Sequence, residues 1–162
     1  MVFEVRYLSA RSLEGERGTR LLRYLLAQGA DEFSISVMAL QDTPAPFADA
    51  FEDELGSYER PAVRRHVISS GDSHDSTRLV RLWSFNEESL DRLLSFVDTD
   101  LFHWPPGPDG WLEDLILYRR GELVLGLISH EREGVLRLTP KELAEVAAMD
   151  IPCERAAEWI RY

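Results

Sequence analysis

Residues 111–148 read WLEDLILYRRGELVLGLISHEREGVLRLTPKELAEVAA, the longest apolar segment of the chain and the best punctuated. Within it, residues 112–118 and 123–130 are two runs rich in Leu, Ile and Val, separated by Arg119, Arg120, Gly121 and Glu122. A short polar link containing Gly reads as a hairpin turn, because Gly takes the positive φ that such turns need. The second run is apolar on both parities: Leu123, Leu125 and Leu127 on one, Val124 and Ile128 on the other. A strand of that kind is expected to be covered on both faces. Gly126, inside the run, marks a bulge or a close approach of another segment.

Working outward, residues 131–134 form a second polar turn, and residues 135–138 a short strand with Leu136 and Leu138 on one face. Thr139-Pro140-Lys141-Glu142 then has the form of a capping box. The Thr hydroxyl accepts from the amide of Glu142, and the Glu142 carboxylate reaches back to the amide of Thr139. Pro140 falls at the first helical position, where its missing donor costs nothing. Leu143, Val146 and Ala147 make the inward stripe of the helix that follows.

The rest of the chain alternates strands and helices. Residues 2–8 alternate, with Phe3, Val5 and Tyr7 on one face. Residues 9–18 are polar, and EGERG lacks the spacing and the Lys-Ser/Thr of a phosphate loop. A helix is expected over 19–28, striped by Leu21, Leu22, Leu25 and Leu26 and closed by Gly29. Residues 33–40 form a strand with Phe33, Ile35, Val37 and Ala39 inward. Asp42-Thr43-Pro44 announces a helix lined by Phe47, Phe51 and Leu55. Two further strands, 63–70 and 77–85, are joined by SGDSHDS. Asn86 caps a helix whose stripe is Leu90, Leu93, Leu94 and Val97, and whose first turn holds Glu87 and Glu88. Pro105, Pro106 and Pro108 keep residues 98–110 irregular. The tail, residues 152–162, adds a short helix with Trp159 and Ile160 packed. Hairpins with helices between them predict a single α+β domain, with one largely antiparallel sheet and helices packed against it.

The chain has 162 residues and a formal net charge of -11. Such acidity repels phosphate backbones and anionic membranes, and it speeds association with a basic protein. Acidity also serves solubility alone. No apolar run reaches the length of a membrane span, and the N-terminus lacks a leader pattern. A cytoplasmic location is expected. The lone Cys153 excludes an intrachain disulfide framework and a cysteine-cluster zinc site. Neither a metal nor a cofactor is expected.

Three clusters come up for chemistry. Asp72-Ser73-His74-Asp75 offers carboxylates around an imidazole, but those residue types also make ordinary turns. Ser129-His130-Glu131 ends the central hairpin, yet neighbours on a strand point to opposite faces. His103 lies between Phe102 and Trp104, which either anchor a partner or plug the open end of the core. Cys153 has only Arg155 nearby as an activator.

The function expected is protein binding, with a basic protein as partner and neither nucleic acid nor membrane. Small acidic proteins of this kind include bacterial immunity proteins and antitoxins that neutralise nucleases, an analogy of size and charge. The expected surface combines Asp49, Glu52, Asp53 and Glu54 on the second helix with Asp98, Asp100, Phe102, Trp104 and Asp109 in the proline-rich loop. The alternatives are a small hydrolase or metal-dependent enzyme gathering His74, His103 and His130 in one cleft, and a scaffold or assembly subunit.

Overall fold

The computed structural model describes residues 2–39, 46–68, 76–97, 100–104 and 110–155. The strands are β1 (Glu4–Ser9), β2 (Glu32–Ala39), β3 (Glu59–Val67), β4 (Ser76–Ser84), β5 (Gly110–Arg119), β6 (Glu122–Ile128), β7 (Glu133–Leu138) and β8 (Glu154–Arg155). The helices are α1 (Glu16–Ala27), α2 (Pro46–Leu55), α3 (Glu87–Leu94) and α4 (Pro140–Ala148). All eight strands join one sheet in the order β3-β4-β2-β5-β6-β7-β1-β8. Every pairing is antiparallel, so the α+β expectation holds. Among the described residues no helix is long and apolar enough to cross a membrane.

The β5–β6–β7 meander is the centre of this sheet. Arg120 and Gly121, with φ of 53° and 80°, make the two-residue turn between β5 and β6. Positive φ at both positions matches the turn twist to the strands. Residues 123–128 of β6 are all buried. Leu125, Leu127, Leu136 and Leu138 enter the main core with Leu21, Leu22 and Leu25 of α1, Leu90 and Leu93 of α3, and Leu143 and Val146 of α4. The caps form as expected. Asn86 Oδ1 accepts from the Ser89 amide at 2.9 Å. Thr139 Oγ1 accepts from the Glu142 amide at 3.3 Å, while Glu142 Oε2 accepts from the Thr139 amide at 2.8 Å.

The second face of the meander is covered by β3 and β4. Val67 and Leu82 form a smaller core with Ile116, Tyr118 and Leu123. Tyr118 donates its hydroxyl proton to the His66 carbonyl at 3.0 Å. Ile68 lies on Gly126, where a Cβ would collide with its Cδ1. The glycine thus marks a close approach. On β2, the buried Glu32 carboxylate takes Arg65 at 2.9 Å and Arg60 at 3.3 Å, tying β3 across β4 to the sheet.

Two expectations at the ends of elements change. Residues 10–13 form a 3-10 turn and α1 starts at Glu16, so the polar stretch before Thr19 is largely helical. The glutamate there suits the first turn of a helix. In the tail, Glu154 and Arg155 pair with β1 as a strand instead of opening a helix, and Trp159 and Ile160 lie outside the described residues.

Candidate functional site

Helix α2 carries the acids singled out by the sequence. Phe51 and Leu55 are fully buried, and the Phe51 ring meets Trp83 edge-on at 5.5 Å. That burial turns the polar side of the helix outward. Glu52 takes a 2.8 Å ion pair from Arg81 of β4, which also reaches Glu59 at 2.9 Å. The hydrogen bond from Arg81 holds the Glu59 carboxyl below its usual range. Glu54 pairs with Arg92 of α3 at 3.0 Å. Asp49 and Asp53 are exposed and make no ion pair among the described residues. Two of the four acids expected at this surface are therefore neutralised. Their counter-ions come from residues remote in sequence.

Of the two roles open to the loop aromatics, the structure shows the core plug. Phe102 and Trp104 are only 6% and 4% exposed and belong to the main core. They close the core between α3 and β5 and present no exposed aromatic area. Asp100 is 7% exposed. Its Oδ1 accepts from the Phe102 amide at 2.8 Å, and its Oδ2 pairs with Arg132 at 2.8 Å. It staples the segment to the turn between β6 and β7. Asp98 and Asp109 lie outside the described residues.

The histidines do not converge on a shared carboxylate among the described residues. His66 is on β3, His103 is exposed after the Asp100 turn, and His130 is exposed on the turn between β6 and β7. Asp72, Ser73, His74 and Asp75 lie outside the described residues. Ser129 binds Asp114 in place of His130: its amide donates to Asp114 Oδ1 at 2.8 Å, and its hydroxyl oxygen accepts from the Asp114 amide at 2.9 Å. Among the described residues no group of three or more His, Cys, Asp or Glu side chains is placed to hold a metal ion. Burial pushes the Cys153 thiol up to about 11, against the opposing field of Arg6. A protonated thiol is a poor nucleophile.

Sequence reasoning missed a cleft within the sheet. β2 and β4 pair only at Glu32↔Ser84 and Phe33↔Trp83. Beyond those pairs the strands part around a cleft of about 440 Å³. Ser34, Ser36 and Met38 line one wall, Arg78 and Val80 the other, and Ile116 and Asp114 of β5 also line it. Asp114 sits at φ 55° in a bulge of β5 opposite Ile35, so its side chain is aimed out of the regular alternation. Burial raises its carboxyl pKa, opposed by the Ser129 amide, and Glu113 raises it further. Nothing in the local pattern of β2 or β4 announces this parting, since both read as ordinary strands. A second cleft, about 550 Å³, lies between β1 and α4, with Arg6, Glu4 and Asp150 at its rim. There the charges are paired, Arg6 to Glu4 and Asp150 to Arg17.

Comparison with protein-family models, with curated proteins and with solved structures finds no match to this chain.

Proposed function

We propose that the protein is a binding module for a basic protein partner, engaging it first through the exposed carboxylates of α2. An inhibitor that neutralises a basic enzyme, as immunity proteins and antitoxins do, is the form of module this reading favours. The observation that carries it is the pair Asp49 and Asp53. They lie one turn apart on the outer side of a helix, without counter-ions among the described residues. The helix beneath them is held by Phe51 and Leu55 in the core and by the Glu52–Arg81 and Glu54–Arg92 pairs. Carboxylates on a scaffold fixed in this way lose little freedom on binding. The net charge of -11 adds a long-range pull on a cation. Trp104 has no part in this surface, because its ring is buried.

The test starts with a pull-down from the source cell and identification of the partner. Association is then followed by stopped flow at low and high salt. The wild-type on-rate is expected to fall steeply with salt, and Asp49→Arg/Asp53→Arg to lower it on the order of tenfold at low salt. An on-rate indifferent to both salt and the double substitution sinks the reading.

A further inference from the structure

We propose that the cleft between β2 and β4 takes an extended segment of the partner. The segment adds as a strand to the open edge of β2 and sets a Lys or Arg side chain against Asp114. This deepens the reading of the protein as a binder of basic partners and rests on it.

The backbone supplies the first reason. Among the described residues, 34–38 of β2 are bonded to β5 on one side only, because the pairing with β4 ends at Phe33. On the opposite wall, residues 76–82 of β4 are bonded, among the described residues, only to β3. Two strand edges thus face one another across the cleft. An edge of unpaired N–H and C=O groups is a template for an added strand.

The side chains supply the second. Met38 is 39% exposed and Leu79 69%, both at the cleft. Val67, Ile68 and Ile116 extend the apolar lining inward. Alternate residues of an added strand point to this lining, so the segment that fits alternates apolar and polar residues.

The charge identifies the occupant. Arg81 is held by Glu52 and Glu59, and Arg78 is also engaged. Among the described residues Asp114 has hydrogen bonds only to neutral Ser129, and Glu113 and Glu131 add to the negative field there, against the opposing field of His130. A cation on the added strand lies about two strand spacings from β5, about 10 Å, within the reach of a long basic side chain and the Asp114 carboxylate together. A second copy of this chain carries -11 itself and is disfavoured by self-repulsion.

The test uses short fluorescein-labelled peptides of alternating Thr and Val with one central Lys, a version with Glu in its place, and a Lys version N-methylated at alternate amides. Anisotropy measures affinity, and amide shifts of the labelled protein locate the site. The Lys peptide is expected to bind on the order of tenfold more tightly than the Glu peptide, with shifts centred on residues 34–38. N-methylation should abolish binding. Asp114→Asn should erase the preference for Lys. Asn tolerates the left-handed backbone at this position, which keeps the variant folded. Leu79→Glu, on an exposed site, should weaken binding of the uncharged parts of both peptides.

Equal binding of Lys and Glu peptides, indifference to N-methylation, or shifts at α2 or β1 each overturn the proposal. So does a concentration-dependent dimer in sedimentation that Leu79→Glu abolishes, which would make a second copy the occupant. If the Lys peptide fails to bind while Asp49→Arg/Asp53→Arg still slows the natural partner, the cleft is wrong and the reading of α2 stands. If the peptide binds and the α2 variant changes nothing, the cleft stands and the α2 surface falls.

Discussion

The β5–β6–β7 meander and the β3–β4 hairpin are both built from antiparallel strands, and they spend their side chains in opposite ways. In the meander, every residue from 123 to 128 is buried, and the turn at Arg120-Gly121 holds the register. In the hairpin, the two strands carry five of the chain's 17 arginines and a single acid, Glu59. β4 leaves the sheet after two pairs with β2. Its apolar residues are divided: Leu82 covers the meander, while Leu79 faces solvent. The meander has a closed ladder and two covered faces, so its contacts serve stability. The hairpin has one covered face and open edges, and much of its polar surface is left to solvent. An acidic protein thus keeps a basic element at the point where its sheet opens. Glu52 and Glu32 hold that element against the acidic body.

The sharpest way to break this comparison is to empty the meander. Leu125 is fully buried in the main core, and Leu125→Ala should cost roughly 2–5 kcal/mol. The denaturant midpoint reads it directly. A midpoint equal to that of the wild type would show that the meander is not the stable half. The next effect lies where the two regions touch. Gly126→Ala puts a methyl against Ile68, and overpacking of this kind costs about 1–3 kcal/mol. Pairing it with Ile68→Ala should recover part of that loss. A purely additive double variant would mean that the hairpin does not cover the meander in solution.

The meander was legible in the sequence because its evidence is local. Apolar runs, a Gly-containing turn and a capping box all lie within a few residues of one another. The double-faced apolar pattern of β6 even foretold covers on both sides. It did not say that the second cover is the β3–β4 hairpin, because that depends on where β4 parts from β2. The same distance in sequence hid the counter-ions of α2, which come from Arg81 and Arg92. Phe102 and Trp104 were undecidable for another reason. An aromatic in a loop has the same local pattern whether it anchors a partner or fills a core, and burial alone separates the two. Asp114 gave no warning, since a bulge has no residue signature on that strand.

Below these effects comes the cap that joins the meander to α4. Thr139→Ala should cost about 1 kcal/mol. Its partner Glu142 adds a pH signature. Burial pushes the Glu142 carboxyl up, but Arg119 at 2.5 Å and the hydrogen bonds from Thr139 outweigh this and bring it down to about 2, from an ordinary 4.5. A carboxyl lowered on folding stabilises fully above its unfolded pKa. The contribution is lost as pH falls from about 4.5 toward 2. Wild type and Glu142→Gln should therefore differ most in urea midpoint near neutrality and converge below pH 4.5. Parallel curves down to the lowest pH would show that the carboxylate carries no such load.

The smallest effect separates two kinds of acid on one helix. Glu52 has a partner in Arg81, and Asp53 beside it has none among the described residues. An exposed ion pair is worth about 0.2–1 kcal/mol, so Glu52→Gln should destabilise by a few tenths of a kcal/mol. Asp53 lies in the second half of α2, whose last turn holds no base. A negative charge toward a helix C-terminus opposes the dipole. Removing that charge also relieves repulsion from Glu52, Glu54 and Asp49. Asp53→Asn should therefore be neutral or slightly stabilising, the opposite sign from its neighbour. Both differences should shrink as salt rises, because both are exposed electrostatics. Thermal melts of the two variants at low and high salt read the signs side by side. Equal destabilisation by both would mean that Asp53 has a structural partner in solution, and then it is not the free carboxylate that a basic partner meets first. Opposite signs would leave Asp53 as a charge kept on the surface at a small cost to folding, which is the pattern expected of a residue that serves binding.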